Sequence, residues 1–297
     1  MSEIAFFSKK ITFDGHSGAV YSLQYDGEFI YSASADKYVV RWDLKSGEQD
    51  KFAIKLPATP YSILLFDNNS KLITGLSTGD VHIFDILEKK ELKFYKMHQK
   101  GIFSMAENPI KSHFYISDGE GMLSVWDSKS LNLLIKLPFE CGKIRRITVS
   151  SDGEFIYLSS QDGVVRSLDT TYFNLISHFS AHKDGVGTLL DLDDNILVTG
   201  GKDAHIKLWN KKSNSCFKSI PAHNYMIYDI IQLNENMFIS ASRDKTIKIW
   251  SNELKIIQRL DTKHGGHRHS VNCIIKLNDK TFASSSDDAK IIVWETK

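Results

Sequence analysis

The 297-residue chain has few cysteines, few prolines and almost no net charge. Its three cysteines, Cys141, Cys216 and Cys273, are odd in number and far apart. They resemble neither a disulfide framework nor a zinc motif, and a reducing, cytoplasmic setting fits them best. The five prolines are scattered, and no proline-rich, glycine-rich or low-complexity linker marks a domain boundary. A formal net charge of +1 gives no global reason to expect nucleic acid, an anionic membrane or a large acidic partner. The apolar run Ile4 to Phe7 is followed by no long apolar stretch and no small-residue cleavage site, so neither a secretory signal nor a membrane span is expected. Glycine-rich phosphate loops are also missing, since no glycine-containing turn opens a helix.

What the chain does have is a repeat. Short segments ending in a large apolar residue recur along it: YVVRWD, DVHIFD, MLSVWD, VVRSLD, HIKLWN, TIKIWS and KIIVWE. Their last apolar positions are Trp42, Phe84, Trp126, Leu168, Trp209, Trp250 and Trp294, at intervals of 42, 42, 42, 41, 41 and 44 residues. Within a unit, β-branched and aromatic runs alternate with gaps of Asn, Asp, Gly and Lys, which is the pattern of strands joined by tight turns. The runs are apolar almost throughout, as in sheets covered on both faces. A fourth strand follows each Trp position except the last, and AFFSKKITF near the amino terminus has the right character to supply the missing one. If it does, no long edge strand is left open to aggregation.

Four units carry a second pattern: His16, Ser32, Asp36, Trp42; His182, Thr199, Asp203, Trp209; His223, Ser240, Asp244, Trp250; and His267, Ser284, Asp288, Trp294. Asp stands six residues before Trp in all four, and His 26 or 27 before it. These marks, with Trp42-Asp43 completing a Trp-Asp pair, resemble the WD-repeat β-propeller family over essentially the whole chain. The resemblance implies an all-β, seven-bladed propeller of four-stranded antiparallel sheets, closed by the amino-terminal strand joining the last blade. The expected blades are 14–57, 58–97, 98–139, 140–181, 182–221, 222–262 and 263–297 plus 4–13, all in one domain. Three repeats depart from the pattern. One has Leu56 at the His position and Thr78 for Asp; one keeps His98 but has Glu120 for Asp; one keeps Asp162 but has Glu140 near the His position and Leu168 for Trp. Packing rather than polar networks is expected to hold residues 58–181, which should open locally before the remainder.

A Ser, His and Asp together invite a hydrolase reading. Four copies at framework positions of a repeat argue for structure instead: indole, hydroxyl, imidazole and carboxylate can satisfy one another where water is excluded. No convergent cluster suggests a channel enzyme, so no catalytic residue and no cofactor is expected. The three imidazoles of the run His264 to His269 are the one metal-like cluster, but His267 already belongs to a tetrad and no metal site is assigned.

In propellers of this family, partners meet the face carried by residues three and five after the His and one before the Asp. Carried over, that face includes Tyr21, Tyr61, Phe103, Lys143, Arg145, Lys202, Met226, Tyr228, Arg243 and Asp287. Aromatics beside cations suit a protein partner whose binding segment carries Asp, Glu or phosphate. The expected function is therefore a non-catalytic scaffold or adaptor, monomeric within a larger complex and with no membrane attachment. A nucleic-acid-binding propeller using the basic face, and an enzyme with a channel ligand, are the competing readings. The first is weakened by the small number of clustered cations.

Overall fold

The computed structural model describes residues 6–296. Among them, 28 strands form seven four-stranded antiparallel sheets, and the only helix is the 3-10 turn Thr262–His264. The fold is that of a seven-bladed β-propeller. In six blades the strands follow chain order, as in the first: Val20–Tyr25, Phe29–Ser34, Tyr38–Asp43 and Glu48–Lys55. The seventh joins Val271–Asn278, Thr281–Ser286 and Lys290–Thr296 to the amino-terminal strand Phe7–Asp14. Phe7 lies opposite Thr296, Lys9 opposite Trp294 and Asp14 opposite Lys290, with a one-residue bulge after Lys9. The amino-terminal strand thus completes the last sheet. Of the segment 4–13 assigned to that blade, residues 4 and 5 lie outside the described residues, as does residue 297.

The described chain forms two compact units. One, Met1–Thr59 with His223–Lys297, holds the first, sixth and seventh blades; the other, Pro60–Ala222, holds the second to fifth. Within each unit, successive blades pack through their first strands. In the first unit, Leu233, Ile239, Ile249, Phe282 and Trp294 form one core cluster between the sixth and seventh blades. In the second, Phe66, Ile83, Phe114 and Trp126 fill the space between the second and third. Second and third strands are buried on both faces, as their apolar runs require, whereas fourth strands are not: Phe94, Leu134, Ile176 and Phe217 are exposed there.

The turn between second and third strands follows one plan. The residue five before each Trp position, namely Lys37, Gly79, Gly121, Gly163, Ala204, Lys245 and Ala289, has a positive φ. The three glycines fall in the three irregular repeats. A Cβ there would lie 2.0–2.3 Å from a carbonyl oxygen of His98, Phe139 or His182, in the segments that lead from one blade to the next. Glycine is what permits that approach.

Candidate functional site

The four tetrads are assembled as hydrogen-bonded chains. In the first blade Trp42 Nε1–H donates to Ser32 Oγ (2.7 Å), the hydroxyl donates to His16 Nε2 (2.7 Å), and His16 Nδ1–H donates to Asp36 (2.7 Å). Thr199, Ser240 and Ser284 take the Ser32 role in the fifth, sixth and seventh blades, with His–Asp distances of 2.8, 3.0 and 3.1 Å. A neutral imidazole with its proton on Nδ1 lets every group donate or accept once along the chain. Burial pushes the pKa values of His16, His182 and His223 below the ordinary value and outweighs the neighbouring carboxylates. Burial alone would raise the Asp244 carboxyl, but the hydrogen bond and charge of His223 with the Thr246 hydroxyl hold it well below its ordinary value. The same balance brings Asp288 down to about 2. All four histidines are buried, and each partner set is complete, so these groups act as framework.

The third blade corrects the reading of Glu120. Its carboxylate partner is Asp118, which lies 2.9 Å from His98 Nδ1, while Glu120 is exposed and paired to Lys100. The hydroxyl is also displaced, because Ser124 on the third strand links His98 Nε2 (2.9 Å) to Trp126 Nε1 (2.8 Å). This fifth tetrad uses Asp eight rather than six residues before Trp. A Ser two before Trp in a repeat that keeps its His was the signal available for it. The second and fourth blades have no tetrad. In the second, Thr74 Oγ1 and its cross-strand neighbour His82 Nε2 are buried without hydrogen-bond partners. In the fourth, Glu140 is exposed and the neighbouring Cys141 is buried instead; Arg166 pairs with Asp162 (2.6 Å) and donates to Ser160.

The residue five after the His position is a β-bulge in every blade. The register slips at Tyr21, Tyr61, Phe103, Arg145, Gly187, Tyr228 and Asn272. A bulge leaves its residue out of the ladder and re-aims the side chain. The residue two before the bulge bonds through its carbonyl to the amide of the residue before the Asp position, joining Ala19 to Ala35, Lys143 to Gln161, Gly185 to Lys202, Met226 to Arg243 and Ser270 to Asp287.

In the unit Pro60–Ala222 these positions form a stack. Tyr61 and Phe103 lie ring to ring with centroids 5.2 Å apart and planes 22° apart, and Lys143 Nζ sits 3.7 Å from the Phe103 centroid. Glycines make room for it: a Cβ at Gly101 would lie 2.9 Å from the Tyr61 ring, and one at Gly119 3.2 Å from that of Phe103. Burial, with the charge of Arg145 beside it, lowers the Lys143 pKa. Lys202 of this unit is exposed and lies outside the stack.

In the other unit Met226 is buried at 8% exposure, because its carbonyl is tied to both Arg243 and the Ser242 hydroxyl. The exposed apolar side chain there is its neighbour Tyr225, at 59%, whose ring lies 5.9 Å from the Arg243 guanidinium. Tyr21 and Tyr228 are half-buried, and Asp287 accepts from Asn272 (2.8 Å). His264 is bonded to Asp261 (3.0 Å), and among the described residues no three His, Cys, Asp or Glu side chains converge as metal ligands. No helix among them is long and apolar enough to cross a membrane.

These blades match the WD domain, G-beta repeat, over residues 7–43, 173–210, 214–251 and 258–295, and the chain belongs to that family. The matched segments end on the four regular tetrads; the third blade, with its displaced Asp and Ser, is not among them. WD repeat-containing protein 55 of Rattus norvegicus is 23% identical over 199 residues, covering 67% of this chain and 52% of that protein. Its namesake in Arabidopsis thaliana is 22% identical over 204 residues, with coverages of 68% and 58%. WD repeat-containing protein 36 of Homo sapiens is 24% identical over 207 residues, with coverages of 67% and 23%. The chain spans about half the length of the WD repeat-containing protein 55 relatives it matches. The general role that family membership gives it is that of a protein-interaction scaffold.

Proposed function

We propose that the protein is a non-catalytic adaptor that captures partner segments on the bulged residues of its first strands. The observation that carries this reading is the stack of Tyr61, Phe103 and Lys143 in the unit Pro60–Ala222. Aromatic surface held flat beside a desolvated cation is the composition of an interface anchor. Burial and then the charge of Arg145 depress the protonated form of Lys143, and a carboxylate or phosphate of the partner relieves that repulsion. The partner segment is therefore acidic or phosphorylated. In the other unit, Tyr228, Arg243 and the exposed Tyr225 offer a second surface of the same kind. Cytoplasmic residence and a monomeric chain inside a larger complex complete the proposal.

The test is affinity purification of the tagged protein beside a Lys143→Glu/Arg145→Glu variant. Proteins captured by the wild type should be lost from the variant and reduced by phosphatase treatment or by high salt. Identical capture by both would remove the site. Retention of the wild type on heparin with steep salt dependence would instead favour nucleic acid.

A further inference from the structure

The fourth and fifth blades, both in the unit Pro60–Ala222, enclose a cavity of about 500 Å³. That size suits a small ligand or a single side chain of a partner. It opens among the turns Ser150–Asp152 and Lys211–Asn214, at the strand ends opposite the bulges.

Comparison of the repeats explains why it is open. The residue just before each Trp position is Arg41, Ile83, Val125, Ser167, Leu208, Ile249 and Val293. The five aliphatic side chains are buried and fill their blades. In the fourth blade the short Ser167 bonds instead to Ser177 (2.8 Å). This leaves Phe155, Phe179 and Tyr157 lining the cavity. Tyr157 is buried to all but 8%, yet its hydroxyl makes no hydrogen bond among the described residues. At the same repeat position, the Tyr31 hydroxyl accepts from Arg41 and the Tyr115 hydroxyl from Asn108.

The first blade shows what such a frame holds. Phe29 and Tyr31 stand there in the register of Phe155 and Tyr157, and Arg41 in that of Ser167. The Arg41 guanidinium lies 4.2 Å from the Phe29 centroid and 5.3 Å from that of Phe52; it donates to Tyr31 (3.4 Å) and to Asp50 (2.6 Å).

We propose that the cavity binds a guanidinium, the arginine side chain of a partner protein, as the first blade binds its own Arg41. Phe155 supplies the aromatic face, and the Tyr157 and Ser177 hydroxyls accept from the guanidinium N–H groups. Asp152 and Asp194 on the rim supply negative charge. Lys211 is neutralised by its ion pair with Asp191. Lys212 is the lining cation without a carboxylate partner among the described residues, so a single arginine is preferred to an arginine-rich run.

The experiment is an NMR titration of the full chain with N-acetyl-argininamide, N-acetyl-lysinamide and N-acetyl-leucinamide, following the Phe155 and Tyr157 resonances. The arginine probe should shift them with millimolar affinity, the lysine probe should bind about fivefold more weakly or less, and the leucine probe should leave them unmoved. Ser167→Ile, which installs a side chain that another blade carries, should keep the thermal midpoint and abolish the shifts. Ser167→Arg should abolish them too, because a guanidinium carried by the chain itself then occupies the space beside Phe155 and Tyr157. Unmoved resonances with the arginine probe, or equal binding of the leucine probe, would overturn the proposal.

Discussion

At the scale of single residues, one pair of positions separates framework from surface sharply. Asp118 completes the third tetrad, whereas Glu120 stands where the regular repeats place their Asp and makes only an exposed ion pair. Asp118→Ala leaves the buried His98 Nδ1–H unpaired and should cost about 2–3 kcal/mol. Glu120→Ala should stay within about 0.5 kcal/mol of wild type. Chemical denaturation of the two variants checks this, and equal losses would refute the assignment. Titration belongs to the same scale. Folded-state pKa values of His16, His182 and His223 lie below the ordinary 6.5, and those of Asp36, Asp118, Asp203, Asp244 and Asp288 below the ordinary 3.8. In both groups the unfolded chain binds protons that the folded chain declines, so stability is lost on acidification. The thermal midpoint should be level above pH 7, fall from about pH 6.5 downward with the histidines, and fall again below about pH 4 with the carboxylates. A midpoint that stays level from pH 7 to pH 5 would contradict the neutral-imidazole account.

At the scale of elements, the third strands could be read directly, because an aromatic or large apolar residue recurs every 41 to 44 positions. The amino-terminal strand could also be read, since its apolar pattern matches the one fourth strand that was missing. The irregular repeats could be read only in part. A fixed offset from Trp finds an Asp that sits in the usual turn but not Asp118, whose position depends on how the turn Gly119–Gly121 is wound. Similarly, an offset from His selected Met226 where the backbone buries it and turns Tyr225 outward. The revised tetrads change the expected order of local opening. In hydrogen exchange the second blade, with Thr74 Oγ1 and His82 Nε2 unpaired, and the fourth, with Leu168 for Trp, should lose protection first. The third should exchange as slowly as the blades with regular tetrads. If the third exchanges with the second and fourth, the added tetrad contributes little.

At the scale of the whole molecule, sequence periodicity revealed the fold class because each blade repeats the same local solution of strand, turn and buried Trp. Binding surfaces are less legible, since they depend on where neighbouring repeats differ. Gly101 and Gly119 admit the Tyr61–Phe103 stack, and Ser167 opens a cavity that aliphatic side chains close in other blades. On the function proposed above, a polar framework sets stability and bulged residues set binding. Measuring thermal midpoint and partner capture together on Ser124→Ala and on Phe103→Ala/Lys143→Ala tests that division most directly. The first variant should melt earlier yet retain its partners while folded, and the second should melt with the wild type and lose them. A Phe103→Ala/Lys143→Ala protein that melts normally and still captures the full wild-type set would contradict it.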